Sequence, residues 1–244
     1  MTSIADNTKA TSSSTVKNKD KNKDKPKDKS NSQHKRTAPK LPQALDCAPA
    51  SELWLADEQM LSYALYQDGI IEHQNAASVS IEKVIFQNVT FRDMSLPKLE
   101  LTDVRFDNCD LSNVDFSGVI AHRVEFRNCK LMGIDLLSST LRHLSFQRCL
   151  GDYATFRFAN IKHTEFIESS FVKSDFYHSV LSDIYFKEAN IDQSQFSSTK
   201  LAGIDISGCH FFNLGVTLED LKGCIISPAQ AIALSKIFGL IIKE

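Results

Sequence analysis

The 244-residue chain carries 28 Lys and Arg against 30 Asp and Glu. That is length enough for a sizeable core, and a balance too even for composition alone to mark a binder of nucleic acid or anionic membrane. No stretch approaches the roughly 20 apolar residues that span a bilayer, the polar N-terminus lacks the apolar centre of a secretory signal, and the six cysteines form no CxxC pair that would suggest zinc; the features together favour a reducing, cytoplasmic setting.

In chain order, residues 1–45 read as a disordered tail. The stretch KNKDKNKDKPKDKSN (17–31) has no apolar residue and cannot bury enough surface to offset its ordering entropy. A polybasic arm for nucleic acid or lipid is the other reading, but Asp20, Asp24 and Asp28 dilute its charge. Residues 52–65 fit either a short capping helix or the degenerate first coil of a repeat array.

From about residue 59 to 226 the chain obeys a period of five. Ile81, Phe86, Phe91, Leu96, Leu101, Phe106, Leu111 and Phe116 open a series that runs in unbroken phase to Phe211, with Ala121 and Gly151 the departures from large apolar residues. Two residues before each stands a smaller, mostly apolar one, such as Val104, Cys109 and Val114. Side chains of an extended segment alternate, so residues i−2 and i face the same way. Five is odd, and a straight strand would turn the next pair outward. The chain must bend once per repeat, and bends of about a right angle close four repeats into a coil whose neighbours stack at roughly 4.8 Å. Such a solenoid buries its faces by stacking. The twenty-residue register agrees: Phe86, Phe106, Phe126, Phe146, Phe166 and Phe186 fall on one side.

The segments CDLSNVDFSG, CKLMGIDLLSS and ANIDQSQFSSTKLAGIDISGC resemble those of pentapeptide-repeat proteins. The resemblance covers residues 59–226 and implies an all-β fold, a right-handed quadrilateral β-helix. With that fold the chain divides into the tail (1–45), the β-helix with its N-terminal cap or degenerate coil (46–226), and a C-terminal cap (227–244). In that cap Ser227, Pro228 and Gln230 form an N-cap, first-turn proline and capping-box partner. They predict a helix over 228–238 stopped by Gly239, then a short strand Leu240–Ile242.

No Gly-rich phosphate loop, GxSxG elbow or HExxH occurs, so neither enzyme activity nor a cofactor is expected. Cys109, Cys129 and Cys149 form an inward column that could bind a soft metal but fits packing better. Outside, His122 and Arg123, Arg142 and His143, and Lys162 and His163 make a basic strip; Asp93, Asp115, Asp135 and Asp175 make a sparse acidic one. The two are the candidate interaction surface, although Glu125 and Glu165 lie close enough to neutralise the basic strip and leave ordinary solvated ladders.

The family resemblance implies protein partners, DNA gyrase or topoisomerase IV among them, with protection from quinolones, and a homodimer through the C-terminal region. Neither direct nucleic-acid nor membrane binding is expected. A tube of about seven coils is about 35 Å long, and B-DNA of that length carries about 20 phosphate charges. Residues 79–226 hold 15 basic and 19 acidic residues, which is far short of a full DNA mimic. A structural scaffold with another protein partner is the alternative.

Overall fold

The structure, a computed structural model, describes residues 36–243; the Lys/Asp-rich tail before Arg36 lies outside the described residues. The period of five closes as a parallel β-solenoid of about seven turns. Its strands are β1 (Asp46–Pro49), β2 (Met60–Ser62), β3 (Ala64–Glu72), β4 (Ser80–Glu82), β5 (Ile85–Arg92), β6 (Glu100–Asp107), β7 (Ile120–Arg127), β8 (Thr140–Gln147), β9 (Asn160–Ile167) and β10 (Val180–Lys187). Neighbours pair in parallel, β1 with β3 at an offset of eighteen and the rest at an offset of twenty, as in Phe106↔Phe126 and Phe126↔Phe146.

In the coil 99–118 the first to fourth sides centre on Leu101, Phe106, Leu111 and Phe116 respectively. Strands β6 to β10 run along the first and second sides. β3 and β5 still pair along the third side at Ile71↔Phe91, but from this coil on the third and fourth sides are joined by single bridges such as Asp110↔Lys130 and Asp115↔Asp135. They are hydrogen-bonded none the less: the Leu111 N–H donates to Lys130 O at 2.7 Å and the Phe116 N–H to Asp135 O at 2.8 Å.

Each bend is made by one residue. Among the described residues, every non-glycine residue with positive φ, from Glu58 to Ser198, stands two positions after a central apolar residue, with φ between 49 and 63°. At Asn113 the Val114 N–H closes back on Leu111 O at 3.3 Å, a turn that requires a left-handed residue in its third place. A non-glycine residue there costs about 1–2 kcal/mol, and a β-branched one is a genuine outlier. The sequence respects this: from Glu58 to Gly203 no Val, Ile or Thr occupies the corner.

Inside, the columns pack as stacks. Phe86, Phe106, Phe126, Phe146, Phe166 and Phe186 lie ring over ring at 4.9–5.1 Å, and Phe156, Phe176 and Phe196 repeat the device at 4.5 and 4.7 Å. These spacings are close to the coil rise, so each ring meets its neighbour in van der Waals contact. Gly151, one of the two departures, is explained by its neighbour. A Cβ there would lie 2.7 Å from Cδ1 of Phe171, because that ring leans into the space a side chain would fill.

The ends differ from expectation. Residues 36–45 are expected in the disordered tail, but their first five lie against the β-helix, where Lys40 N–H meets Asp103 and Arg36 meets Glu125. The first coil is the degenerate one rather than a capping helix: a single 3₁₀ turn, Ala50–Glu52, follows β1, and β1 pairs with β3. At the other end α1 spans Pro228–Ile237, and its Ser227–Gln230 capping box is formed. The Gln230 side chain also donates to Ile206 O (2.8 Å) and Cys209 O (2.9 Å), which satisfies carbonyls of the last coils. Gly239 (φ +76) ends the helix in a Schellman motif, with Leu240 N–H on Ser235 O and its own N–H on Lys236 O, both 2.9 Å. Leu240–Ile242 is no strand: beyond that turn it pairs with nothing among the described residues, and Ile241 is 97% exposed.

Two substitutions test the packing. Gly151→Ala, although it brings the position nearer the repeat, is expected to destabilise by about 1–3 kcal/mol because the cavity is already filled. Ser138→Val at a corner (φ +55) should cost at least about 1 kcal/mol, whereas Ser138→Gly should not; denaturant unfolding of the three variants measures each.

Candidate interaction surface

Outward side chains also repeat every twenty residues, so the surface is a set of columns. Asp115, Asp135 and Asp175 share a column of the fourth side, with Thr155 between the last two. Asp93 is not with them; it sits at a corner after Phe91 (φ +50). The column's carboxylates are engaged in shaping corners: Asp115, Asp135 and Asp175 accept the N–H groups of Ser117, Leu137 and Tyr177 at 2.8–2.9 Å, the local turn that favours Asp and Asn there. Asp115 also takes the Ser95 hydroxyl at 2.7 Å, and Asp175 pairs with Arg157 at 2.9 Å. Burial acts to raise the Asp115 carboxyl, but the bonds from Ser117 and Ser95 hold it below the usual range. The acidic strip is therefore mostly structural.

The inward cysteines play the same kind of part. Cys109, Cys129 and Cys149 donate their thiols to Phe86 O, Phe106 O and Phe126 O at 3.3–3.5 Å. Ser169, Ser179, Ser194 and Thr199 put hydroxyls on the equivalent carbonyls at 2.5–3.2 Å. The Cys129 thiol and burial raise Cys109, and burial pushes Cys209 up to about 12, so Cys109 and Cys209 stay protonated. Outside, polar side chains two residues past the phenylalanine column bond from coil to coil: Asn108 donates to Asn88 Oδ1 at 2.7 Å, and Asn88 to Asp68 at 2.9 Å.

The basic strip lies on the first side and its corner. His122, Arg142 and Lys162 are in register, and Arg123, His143 and His163 form the corner column. Arg123 grips Asp103 with two bonds of 2.5 and 2.7 Å. The rings of His122, His143 and His163 follow one another at 5.5 and 4.8 Å, and His163 Nδ1 lies 3.3 Å from Asp183.

Sequence reasoning missed what covers this corner. Residues 36–40 run along it. Lys40 N–H donates to Asp103 Oδ1 at 2.8 Å and Thr37 N–H to His143 Nδ1 at 3.2 Å. The Arg36 guanidinium reaches round to the second side, 3.1 Å from Glu125 and 2.7 Å from Glu165. Between those two glutamates the column holds Ser145, fully buried, and its small side chain leaves the notch that the guanidinium fills. Glu125 is itself 1% exposed and also meets Arg105 (3.1 Å) and Arg127 (2.7 Å). Burial alone would raise the Glu125 carboxyl; the three arginines hold it below the usual range. For Asp103, burial is likewise outweighed by Arg123 and the Lys40 N–H. The alternation Glu125–Ser145–Glu165 in one column was the available signal, visible once the register of twenty is known.

A second feature lies across the fourth side. Tyr153 and Phe158 occupy its two corners in one coil and are 55% and 49% exposed. Arg157 lies over the Phe158 ring at 5.7 Å and the Tyr177 ring at 4.8 Å. Phe158 meets Tyr177 edge-on at 5.9 Å, and Lys173 stands 5.4 Å over Tyr153.

A solenoid of five-residue sides, with left-handed corners and four sides to a coil, defines the class of protein. The chain belongs to the pentapeptide-repeat family. The family model described as a pentapeptide repeat region matches residues 99–176 and 119–196. An uncharacterized Bacillus subtilis (strain 168) protein, YisX, is 36% identical over 204 residues, 84% of this chain and 96% of that protein. Among solved structures, a trypsin-treated variant of QnrB1, described as a plasmid-mediated fluoroquinolone resistance protein, is 19% identical and covers 76% of this chain and 100% of its own, with a TM-score of 0.34. HetL of the cyanobacterium Nostoc sp. strain PCC 7120, described as involved in heterocyst differentiation regulation, is 16% identical over 70% of this chain and 90% of its own, with a TM-score of 0.35. These scores are too low to carry function to this chain.

The histidine column makes stability depend on pH. Burial first, then Arg123, lowers the His122 pKa; burial, then His163, His122, Arg123 and Arg36, lowers that of His143. Above about pH 6.5 both rings are neutral folded and unfolded. Below it the unfolded chain takes up protons first, so stability falls with pH down to the folded values. Asp103 and Glu125 act lower, where their depressed carboxyls at last protonate. Thermal melts from pH 7.5 to 5.5 should show a falling Tm, and His122→Gln with His143→Gln should remove at least half of that fall.

Proposed function

We propose that the chain is a non-enzymatic protein-interaction module, a rigid rod working in the cytoplasm. The observation that carries this reading is the cluster of Tyr153, Arg157, Phe158 and Tyr177, which gathers three aromatic rings and an arginine on the outside of the fourth side. Aromatic and arginine side chains dominate the energetics of protein interfaces, and an exposed apolar group rimmed by polar residues marks a contact site. The inward cysteines and serines are engaged in packing and carbonyl bonds, which leaves the outside for recognition.

Within that class the more specific reading is a type II topoisomerase partner, DNA gyrase or topoisomerase IV, with protection from quinolones. Family membership supports it. Charge limits it: the surplus of four acids over residues 79–226 is far below the roughly 20 phosphates of matching DNA, and the fourth-side aspartates are engaged in corners, so contact would rest on the aromatic cluster. The alternative is a scaffold for another protein. Self-association through the C-terminal region belongs to the same proposal, supported by the exposed Phe212, Ile232, Leu240 and Ile241.

Gyrase supercoiling with and without ciprofloxacin, at stoichiometric protein, tests the specific reading. Protection or inhibition that Phe158→Glu abolishes is the expected result. No effect on gyrase, with another protein retained from lysate by the wild type and lost by Phe158→Glu, would leave the scaffold. A wild type that retains no partner, and a Phe158→Glu variant indistinguishable from it, would contradict both.

A further inference from the structure

The segment on the first corner is held in a way that suggests a binding site rather than a piece of the core. None of residues 36–45 is buried. The hold consists of one guanidinium between two carboxylates and two backbone N–H donors, Thr37 to His143 and Lys40 to Asp103. Such contacts read an extended backbone and one arginine; Ala38 and Pro39 between the anchors add no polar side chain. An arginine fork suits a carboxylate pair better than lysine does, and a buried Arg36 Nη1 is left without a partner.

The receiving side is built without the segment. Glu125, Ser145 and Glu165 belong to β7, β8 and β9 and are fixed by the ladder. Glu125 keeps Arg105 and Arg127 whether or not Arg36 is there, and Asp103 keeps Arg123. Departure of Arg36 therefore strands no single buried charge, the condition that makes breaking a buried pair severe. It leaves a notch with Glu165 on its rim and two acceptors, His143 Nδ1 and Asp103 Oδ1, spaced along the corner for N–H groups three residues apart.

We propose that this corner, from the Glu125–Ser145–Glu165 notch to Asp103, is a binding site for an extended basic peptide anchored by arginine, and that residues 36–40 are its resident, displaceable occupant. A partner's segment with free N–H groups one and four residues after an arginine would compete for it. Occupancy in cis sets the threshold: the tethered segment has a high effective concentration, so the partner gains access when the segment is released. The site is separate from the aromatic cluster on the fourth side, so the two readings fail separately.

The test uses the full chain and a fluorescein-labelled peptide, HKRTAPKLP, read by anisotropy. Arg36→Ala removes the resident anchor, and Thr37→Pro removes the N–H held by His143. Both lie outside the repeats, and their far-UV spectra and melts check that the β-helix is intact. Each variant is expected to bind the peptide at least tenfold more tightly than wild type. The same peptide with alanine for arginine should lose that binding, and so should Glu165→Gln added to Arg36→Ala. Trypsin should cut wild type slowly after Arg36 and Glu165→Gln faster. Equal peptide affinity in wild type and both variants, or equal binding of the arginine-free peptide, would overturn the proposal.

Discussion

One backbone constraint underlies the molecule: every fifth residue must take a left-handed turn. Without it, an odd repeat would carry half of the apolar pairs into water. With it, each turn places residues i−2 and i inside and sends three residues out. The constraint is unfavourable at each non-glycine corner, and it holds because each corner lies between coils whose N–H and C=O groups bond above and below. At Asn113 and Gly133 the corner N–H groups donate to Met132 O and Asp152 O at 2.8 and 2.9 Å. The strain is local and the bonding is collective, so stability grows with the number of stacked coils.

The surface obeys the same rule. Columns at a fixed spacing of twenty residues make single outward substitutions into topographic features. Ser145 between Glu125 and Glu165 makes a notch; Tyr153 and Phe158 at two corners of one coil make an aromatic shelf. Function in such a rod is written in the sequence of each column rather than in any single repeat, and the two features face different ways. Family membership sets the scaffold, and the columns set what the scaffold can hold.

Much of the fold was legible because period and phase are arithmetic. Phe86 to Phe186 announced a column, and Ser227 with Gln230 announced a capped helix. Other features were not legible. Residues 36–45 carry no period, so nothing in RTAPKLPQAL signals that its Arg36 and two N–H groups have partners 63 to 129 residues away. The outward aspartates looked like a charge pattern because their role, accepting an N–H two residues on, is backbone geometry. Gly151 looked like a lapse until Phe171, one coil later, was seen to fill its space. Leu240–Ile242 read as a strand by composition, but a strand needs a neighbour and that stretch has none among the described residues.

All four sides of the coil are bonded alike, even though from β6 to β10 regular strands run along only two of them, and both proposed surfaces depend on this. Native-state hydrogen exchange across residues 99–196 measures it directly. Third- and fourth-side amides, such as those of Leu111, Leu131, Phe116 and Leu136, should be protected to the same degree as the first- and second-side amides of β7 and β8. Fast exchange confined to the third and fourth sides would contradict a closed four-sided coil and, with it, the columns on which both surfaces are built.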